Sequence, residues 1–168
     1  MQKVLNFYGG PGSGKSTLAA SVFAQLKFRG YNVELVREYA KEWAWRGQEI
    51  KPEHQKHIFQ QQYGRMRLLQ GKVQLIITDS PLLLATIYGS GYDTAKYCYD
   101  TFQNCDLFVE RIGHYNLAGR YQTYEEACEL DKKCMDFADH FVLGDENGAK
   151  EAADIAERFI NSTHKRDT

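Results

Sequence analysis

Apolar and polar positions along the chain fall into short continuous apolar runs separated by segments of helical spacing. Residues 4–8 form an apolar run that stops at Gly9. From residue 16 to 28 apolar side chains recur at Leu18, Val22, Phe23 and Leu26, one face of a helix, with Gly30 placed as its C-terminal cap. Residues 33–36 read as a second strand. A helical stretch then runs to about Gly47, and Pro52 opens a longer polar helix to about Gln70, closed by Gly71. Residues 73–78 (VQLIIT) read as a strand buried on both faces. Short helices are expected over 81–88 and 93–102, a fourth strand over 107–109 and a fifth over 140–143. Thr123 with Glu126 has the form of a capping box for a helix to about Phe137, and 148–160 forms a closing amphipathic helix. Residues 111–122 lack clean periodicity and are the candidate lid. Strands alternate with helices throughout, which argues for an α/β fold with a parallel sheet and helices on both faces.

Composition narrows the function classes. The chain has 168 residues, 43% hydrophobic and 26% charged, so it fits one domain over 1–168 with its own core. Lys plus Arg number 21 against 22 Asp plus Glu, so no global basic field draws the protein to nucleic acid. The 4 cysteines form no Cys-x-x-Cys pair, which points to reduced thiols in a cytoplasmic protein. No apolar run is long enough to span a bilayer, and the N-terminus carries no signal-peptide core.

The segment Gly9-Gly10-Pro11-Gly12-Ser13-Gly14-Lys15-Ser16-Thr17 follows a strand and precedes a helix. It contains the G-x-x-x-x-G-K-[ST] phosphate-loop pattern in its confirming context. Glycines let successive N–H groups face one anion, and the helix points its positive dipole end at the same place. Gly10, Gly12, Ser13, Gly14, Lys15, Ser16 and Thr17 are therefore the nucleotide-binding candidates. Lys15 supplies charge for the outer phosphates, Ser16 a ligand for Mg²⁺, and Thr17 a contact to an inner phosphate. The expected ligands are ATP and Mg²⁺.

Asp79 ends the third strand, where a carboxylate holds Mg²⁺ directly or through water. Ser80 follows it, whereas motor ATPases place a water-activating Glu there. No Asn-Lys-x-Asp guanine signature is present. Glu38 ends the second strand, and ligands of open parallel sheets bind beyond the strands' carboxyl ends. Glu38 is thus a candidate to orient or deprotonate an attacking hydroxyl, with Asp79 its rival. Arg111 and Arg120 bracket the candidate lid, where a closing guanidinium stabilises a transferring phosphoryl group.

The phosphate loop, Arg37-Glu38-Tyr39-Ala40 and Thr78-Asp79-Ser80-Pro81 resemble the nicotinamide riboside kinase domain of the bacterial NAD-biosynthesis regulator. They are also similar to a wider group of small P-loop proteins, many of them phage-encoded. The stretch Tyr115-Asn116 to Thr123, followed by Glu125-Glu126-Ala127, resembles the phage group more closely. The resemblance implies a three-layer P-loop kinase-like fold with a five-stranded parallel sheet of order 2-3-1-4-5. It also implies that Glu38 and Asp79 face the acceptor, a nucleoside-like molecule such as nicotinamide riboside.

Other features are read two ways. Tyr39, Trp43 and Trp45 stack on a base or pack a helix. His54 and His57 read as polar surface rather than a metal pair. Lys51, Lys56, Arg65, Arg67 and Lys72 read as a solvated helix face, with a nucleic-acid track the alternative. The expected activity is transfer of the γ-phosphate of ATP to a hydroxyl. The alternatives are a kinase acting on hydroxymethylated bases in DNA, and an ATP-binding regulatory module without a small acceptor.

Overall fold

Along β1 (Gln2–Tyr8) the side chains alternate between two cores. Leu5 and Phe7 enter one, and Val4 and Tyr8 enter the other. The computed structural model describes residues 1–89, 91–113, 115 and 122–162. In it, β1 is the centre of a five-stranded parallel sheet with order β2-β3-β1-β4-β5. Its partners are β2 (Val33–Val36), β3 (Leu75–Thr78), β4 (Phe102–Glu110) and β5 (His140–Leu143). A strand buried on both faces needs apolar residues at consecutive positions, and LIIT in β3 supplies them.

One face is covered by α1 (Lys15–Phe28) and α7 (Glu146–Asn161). Leu18, Val22 and Leu26 of α1 meet Ala149, Ala152, Ala153 and Ala156 of α7. Alanines on that face let the two helices approach closely. Lys3 ties α7 back to the sheet, its ammonium donating to the carbonyls of Phe159, Ile160 and Ser162 at 2.7, 2.9 and 2.8 Å. The opposite face carries α3 (Gln55–Leu68), α4 (Leu84–Ile87), α5 (Tyr92–Tyr99) and α6 (Tyr124–Met135). Phe59, Met66, Leu84, Ala95 and Cys134 bury there against Val4, Tyr8 and Ile76. The short α2 (Ala40–Trp45) follows β2. The expected three-layer α/β architecture and strand order are both present.

Several boundaries differ from the sequence expectation; β3, for one, begins at Leu75 rather than at residue 73. β4 begins at Phe102, where a helix end was expected, and spans nine residues rather than 107–109. Its polar Asn104 and Asp106 concealed it. Both find partners across the sheet: Asn6 Nδ2 donates to Asn104 Oδ1 at 3.0 Å and to Asp106 Oδ1 at 2.8 Å, and Tyr99 donates to Asp106 Oδ2. The helix expected from Pro52 is a 3₁₀ turn, Pro52–His54, followed by α3. The helix expected over 81–88 shortens to α4. α7 starts before Gly148, because Asp145 Oδ1 accepts from Gly148 N–H at 2.8 Å and caps the helix. The expected capping box is formed: Thr123 Oγ1 accepts from Glu126 N–H, and the Glu126 carboxylate from Thr123 N–H.

Candidate active site

The turn after β1 is the phosphate loop. Gly9, Gly12 and Gly14 have φ of +142°, +74° and +105°, conformations that L side chains rarely adopt. Gly10 is required by packing instead: a Cβ there would overlap the Ala127 carbonyl oxygen of α6. α1 begins directly after the loop, and no side chain caps its first turn. Its N-terminal N–H groups therefore face the loop's concavity without a protein acceptor from a cap. Among the described residues the buried Ser13 hydroxyl has no hydrogen-bond partner. Lys15 folds back over the loop and donates to the Gly9 and Gly10 carbonyls at 2.6 and 2.9 Å. An ammonium has three donors, so one remains for a ligand. Burial pulls the Lys15 pKa down, opposed by the Glu38, Asp79 and Asp131 carboxylates.

The carboxyl ends of β2 and β3 bring Glu38 and Asp79 to the same crevice. Asp79 is 2% exposed, and its Oδ1 accepts from the Glu38 backbone N–H at 2.8 Å. Among the described residues, Oδ2 accepts no hydrogen bond. Burial raises the Glu38 pKa and Asp79 raises it further, while Lys15 and Lys41 oppose them. A carboxylate held in this way is a better proton acceptor than one in water.

Three residues at the site carry no sequence motif. Gln62 of α3 is 4% exposed. Its Oε1 accepts from Tyr39 N–H at 3.1 Å and its Nε2 donates to Thr78 Oγ1 at 3.3 Å. It thus joins the turn bearing Glu38 to the turn bearing Asp79. Its signal was a polar residue on the helix face that buries Phe59 and Met66. Burial suppresses the ionisation of Tyr88, and the Glu38 charge adds to that effect. Asp131 of α6 accepts from Gly10 N–H and pairs with Arg111. It shares a helix face with buried Ala127 and Cys134.

Arg111, at the end of β4, lies against the phosphate loop; its Nη1 would stand 3.2 Å from a Cβ at Gly12. Arg120, Asn116 and Gly119 lie outside the described residues, as does most of the 111–122 candidate lid. Ser16 is half-buried at the start of α1 and Thr17 is exposed. The aromatic candidates are spent largely on packing. Trp43 lies against the His54 ring at 4.8 Å, and Arg65 lies over the Tyr39 ring at 4.8 Å. Trp45 is 70% exposed. Arg65 pairs with Glu42 at 2.6 Å and Arg67 lies over Tyr63, contacts in keeping with the solvated helix face expected here rather than with its alternative, a nucleic-acid track. His54 and His57 form no metal cluster, nor does any group of three His, Cys, Asp or Glu among the described residues. Among the described residues no helix is long and apolar enough to cross a membrane.

A parallel sheet of this order, with a glycine loop and lysine after its central strand and two carboxylates at the neighbouring strand ends, defines a P-loop protein of kinase-like fold. Solved structures agree on the fold. The APS kinase CysC of Mycobacterium tuberculosis in complex with AMPPNP and APS is similar at 13% identity and TM-score 0.58, over 94% of this chain and 97% of that one. A cysteine-to-alanine variant of the same kinase gives 14% identity and TM-score 0.57, over 94% and 96%. The protein APE1195 gives 17% identity and TM-score 0.56, over 98% and 97%. No curated protein sequence matches the chain. Residues 4–164 match the AAA domain family, and the chain belongs to that family.

Proposed function

We propose that this protein is a single-domain, ATP- and Mg²⁺-dependent phosphotransferase that moves the γ-phosphate to a hydroxyl of a nucleoside-like acceptor. The observation that carries the reading is the convergence of Lys15 and its glycine loop with Glu38 and Asp79 at the carboxyl ends of three adjacent strands.

The residues present fit the groups they would hold. The uncapped α1 terminus, the unpartnered Ser13 hydroxyl and the lysine over the loop suit a polyphosphate. The Ser16 hydroxyl and the Asp79 carboxylate are hard oxygen donors suited to Mg²⁺, which usually takes one or two carboxylates and completes its shell with phosphate and water. When bound, Mg²⁺ neutralises charge on the β- and γ-phosphate oxygens.

The chain's own residues do the rest. Gly10, Gly12, Ser13, Gly14 and Thr17 cradle the inner phosphates, and Lys15 offers its remaining donor to the outer ones. Glu38, with its raised pKa, orients the acceptor hydroxyl and takes its proton. Arg111 faces the loop as a phosphate ligand, and Arg120 is assigned the same role from the sequence. Ser80 stands where a water-activating Glu would favour hydrolysis, and its N–H donates to Thr78 Oγ1. That supports transfer over ATP hydrolysis. The 4 free thiols suit a reducing compartment, the cytoplasm.

The test is a transfer screen with γ-labelled ATP and Mg²⁺. Its acceptors are nicotinamide riboside, other nucleosides, nucleoside monophosphates, and plain and hydroxymethylated DNA. Label on one small acceptor, abolished by EDTA and by Lys15→Ala, is the expected result. Label on DNA selects a DNA-directed kinase. ATP binding with no transfer to any of these acceptors overturns the assignment in favour of a nucleotide-binding regulatory module.

A further inference from the structure

Asp131 is an acidic side chain built into an anion site, and simple electrostatics places it on the wrong side. It is 15% exposed and sits against the phosphate loop, where its negative charge opposes a polyphosphate. Its contacts are specific. Oδ1 accepts from Gly10 N–H at 2.5 Å. Oδ2 accepts from Arg111 Nε at 3.0 Å and lies 2.9 Å from Nη2. One carboxylate thus bolts the arginine to the loop through both of its oxygens.

The Arg111 side chain is 9% exposed. Its guanidinium carbon stands 5.6 Å from the centre of the Tyr115 ring and 5.9 Å from that of Tyr124. The rings and the carboxylate leave little room to rotate. Nη1 and Nη2 are both buried without a hydrogen-bond acceptor among the described residues; Nη2 lies beside the Asp131 carboxylate, and Nη1 points toward Gly12. A buried N–H without a partner is destabilising, and an incoming phosphate oxygen removes that penalty.

We propose that Asp131 is a positioning residue for nucleotide recognition: it fixes Arg111 so that Nη1 presents a preset donor to a phosphate carried on the loop. The proposal rests on the reading that this loop binds ATP. Its sign differs from that of a bystander charge. A bystander carboxylate weakens anion binding, so its neutralisation tightens it. A positioning carboxylate strengthens binding through Arg111, so its neutralisation loosens it.

The experiment is calorimetric titration of MgATP into wild type, Asp131→Asn, Asp131→Glu, Arg111→Met and the Asp131→Asn/Arg111→Met double variant, with near-UV circular dichroism as the check of folding. Asp131→Asn is expected to weaken MgATP binding at least tenfold, Asp131→Glu to recover part of that loss, and the double variant to bind within twofold of Arg111→Met. Equal or tighter binding by Asp131→Asn overturns the proposal, as do losses that multiply in the double variant. If Asp131→Asn does not fold, Asp131→Glu binding as tightly as wild type overturns it. A wild type that does not bind MgATP overturns the nucleotide reading itself, and this proposal with it.

Discussion

Replacing Gln62 by Leu tests whether the two carboxylate-bearing turns are held as one unit. The side chain is 4% exposed and similar in volume to Leu, so the substitution mainly removes two hydrogen bonds. Thr78 Oγ1 keeps a partner, because Ser80 N–H donates to it at 3.1 Å. Tyr39 N–H loses its one acceptor among the described residues, and an unpartnered buried N–H costs about 1–3 kcal/mol. Adding the lost Thr78 bond and crediting the apolar gain of Leu leaves about 2 kcal/mol of destabilisation. For a chain of 168 residues this lowers Tm by about 4–8 °C. Urea unfolding at neutral pH reads the change as a shift in midpoint with the slope unchanged. Because Glu38 adjoins Tyr39 and the phosphate loop is untouched, phosphoryl transfer is expected to fall about tenfold with MgATP affinity retained. An unfolding free energy within about 0.5 kcal/mol of wild type, with unaltered transfer, would show that Gln62 does not hold the two turns together.

Three further outcomes are expected. The acid limb of transfer rate against pH lies above the ordinary glutamate value of 4.5, because burial raises the Glu38 pKa and the base works ionised; Glu38→Gln removes that limb. Asp106, buried among Asn6 and Tyr99, has its pKa raised from 3.8 to about 6, so the folded state holds its proton more tightly than the unfolded chain. Its contribution to stability is therefore full below pH 3.8 and declines as pH rises to about 6, a loss of about 3 kcal/mol. Asp106→Asn should accordingly gain stability over wild type as pH rises from 4 to 7, and parallel pH dependence in the two proteins would contradict the assignment. Lys3→Met leaves three carbonyls at the end of α7 without their donor and should cost about 1–2 kcal/mol in chemical denaturation. An unchanged midpoint would show that water replaces the ammonium at no cost.

Legibility of the fold and site follows the range of the interactions involved. The phosphate loop is a local signal, because glycines, lysine and hydroxyls stand within nine consecutive residues and the flanking strand and helix announce themselves by their own periodicity. Glu38 and Asp79 were legible for a related reason: each is the first carboxylate after an apolar run, and a parallel sheet gathers strand ends. The first half of β4 was not legible, because Asn104 and Asp106 interrupt the apolar pattern and are satisfied by Asn6, far away in sequence. Asp131 was hidden for the same reason, since its loop partner Gly10 lies 121 positions away. Gln62 looked like one more polar residue on a polar helix until its face proved to be buried. The aromatic side chains left stacking and packing both open in the sequence. Trp43 stands in the sequence beside a candidate base, yet its ring packs on His54.

In the proposed reaction the phosphate on the loop goes to an acceptor hydroxyl through the Glu38–Asp79 crevice. The most direct measurement is single-turnover transfer of γ-labelled ATP to the acceptor found in the screen, run on wild type, Lys15→Ala and Glu38→Gln. Label is expected on the acceptor rather than on water in wild type. No transfer is expected in Lys15→Ala, and in Glu38→Gln retained MgATP binding with transfer slowed about 10²-fold or more. Transfer at the wild-type rate in Glu38→Gln, or label released only as inorganic phosphate in wild type, would contradict the proposed reaction.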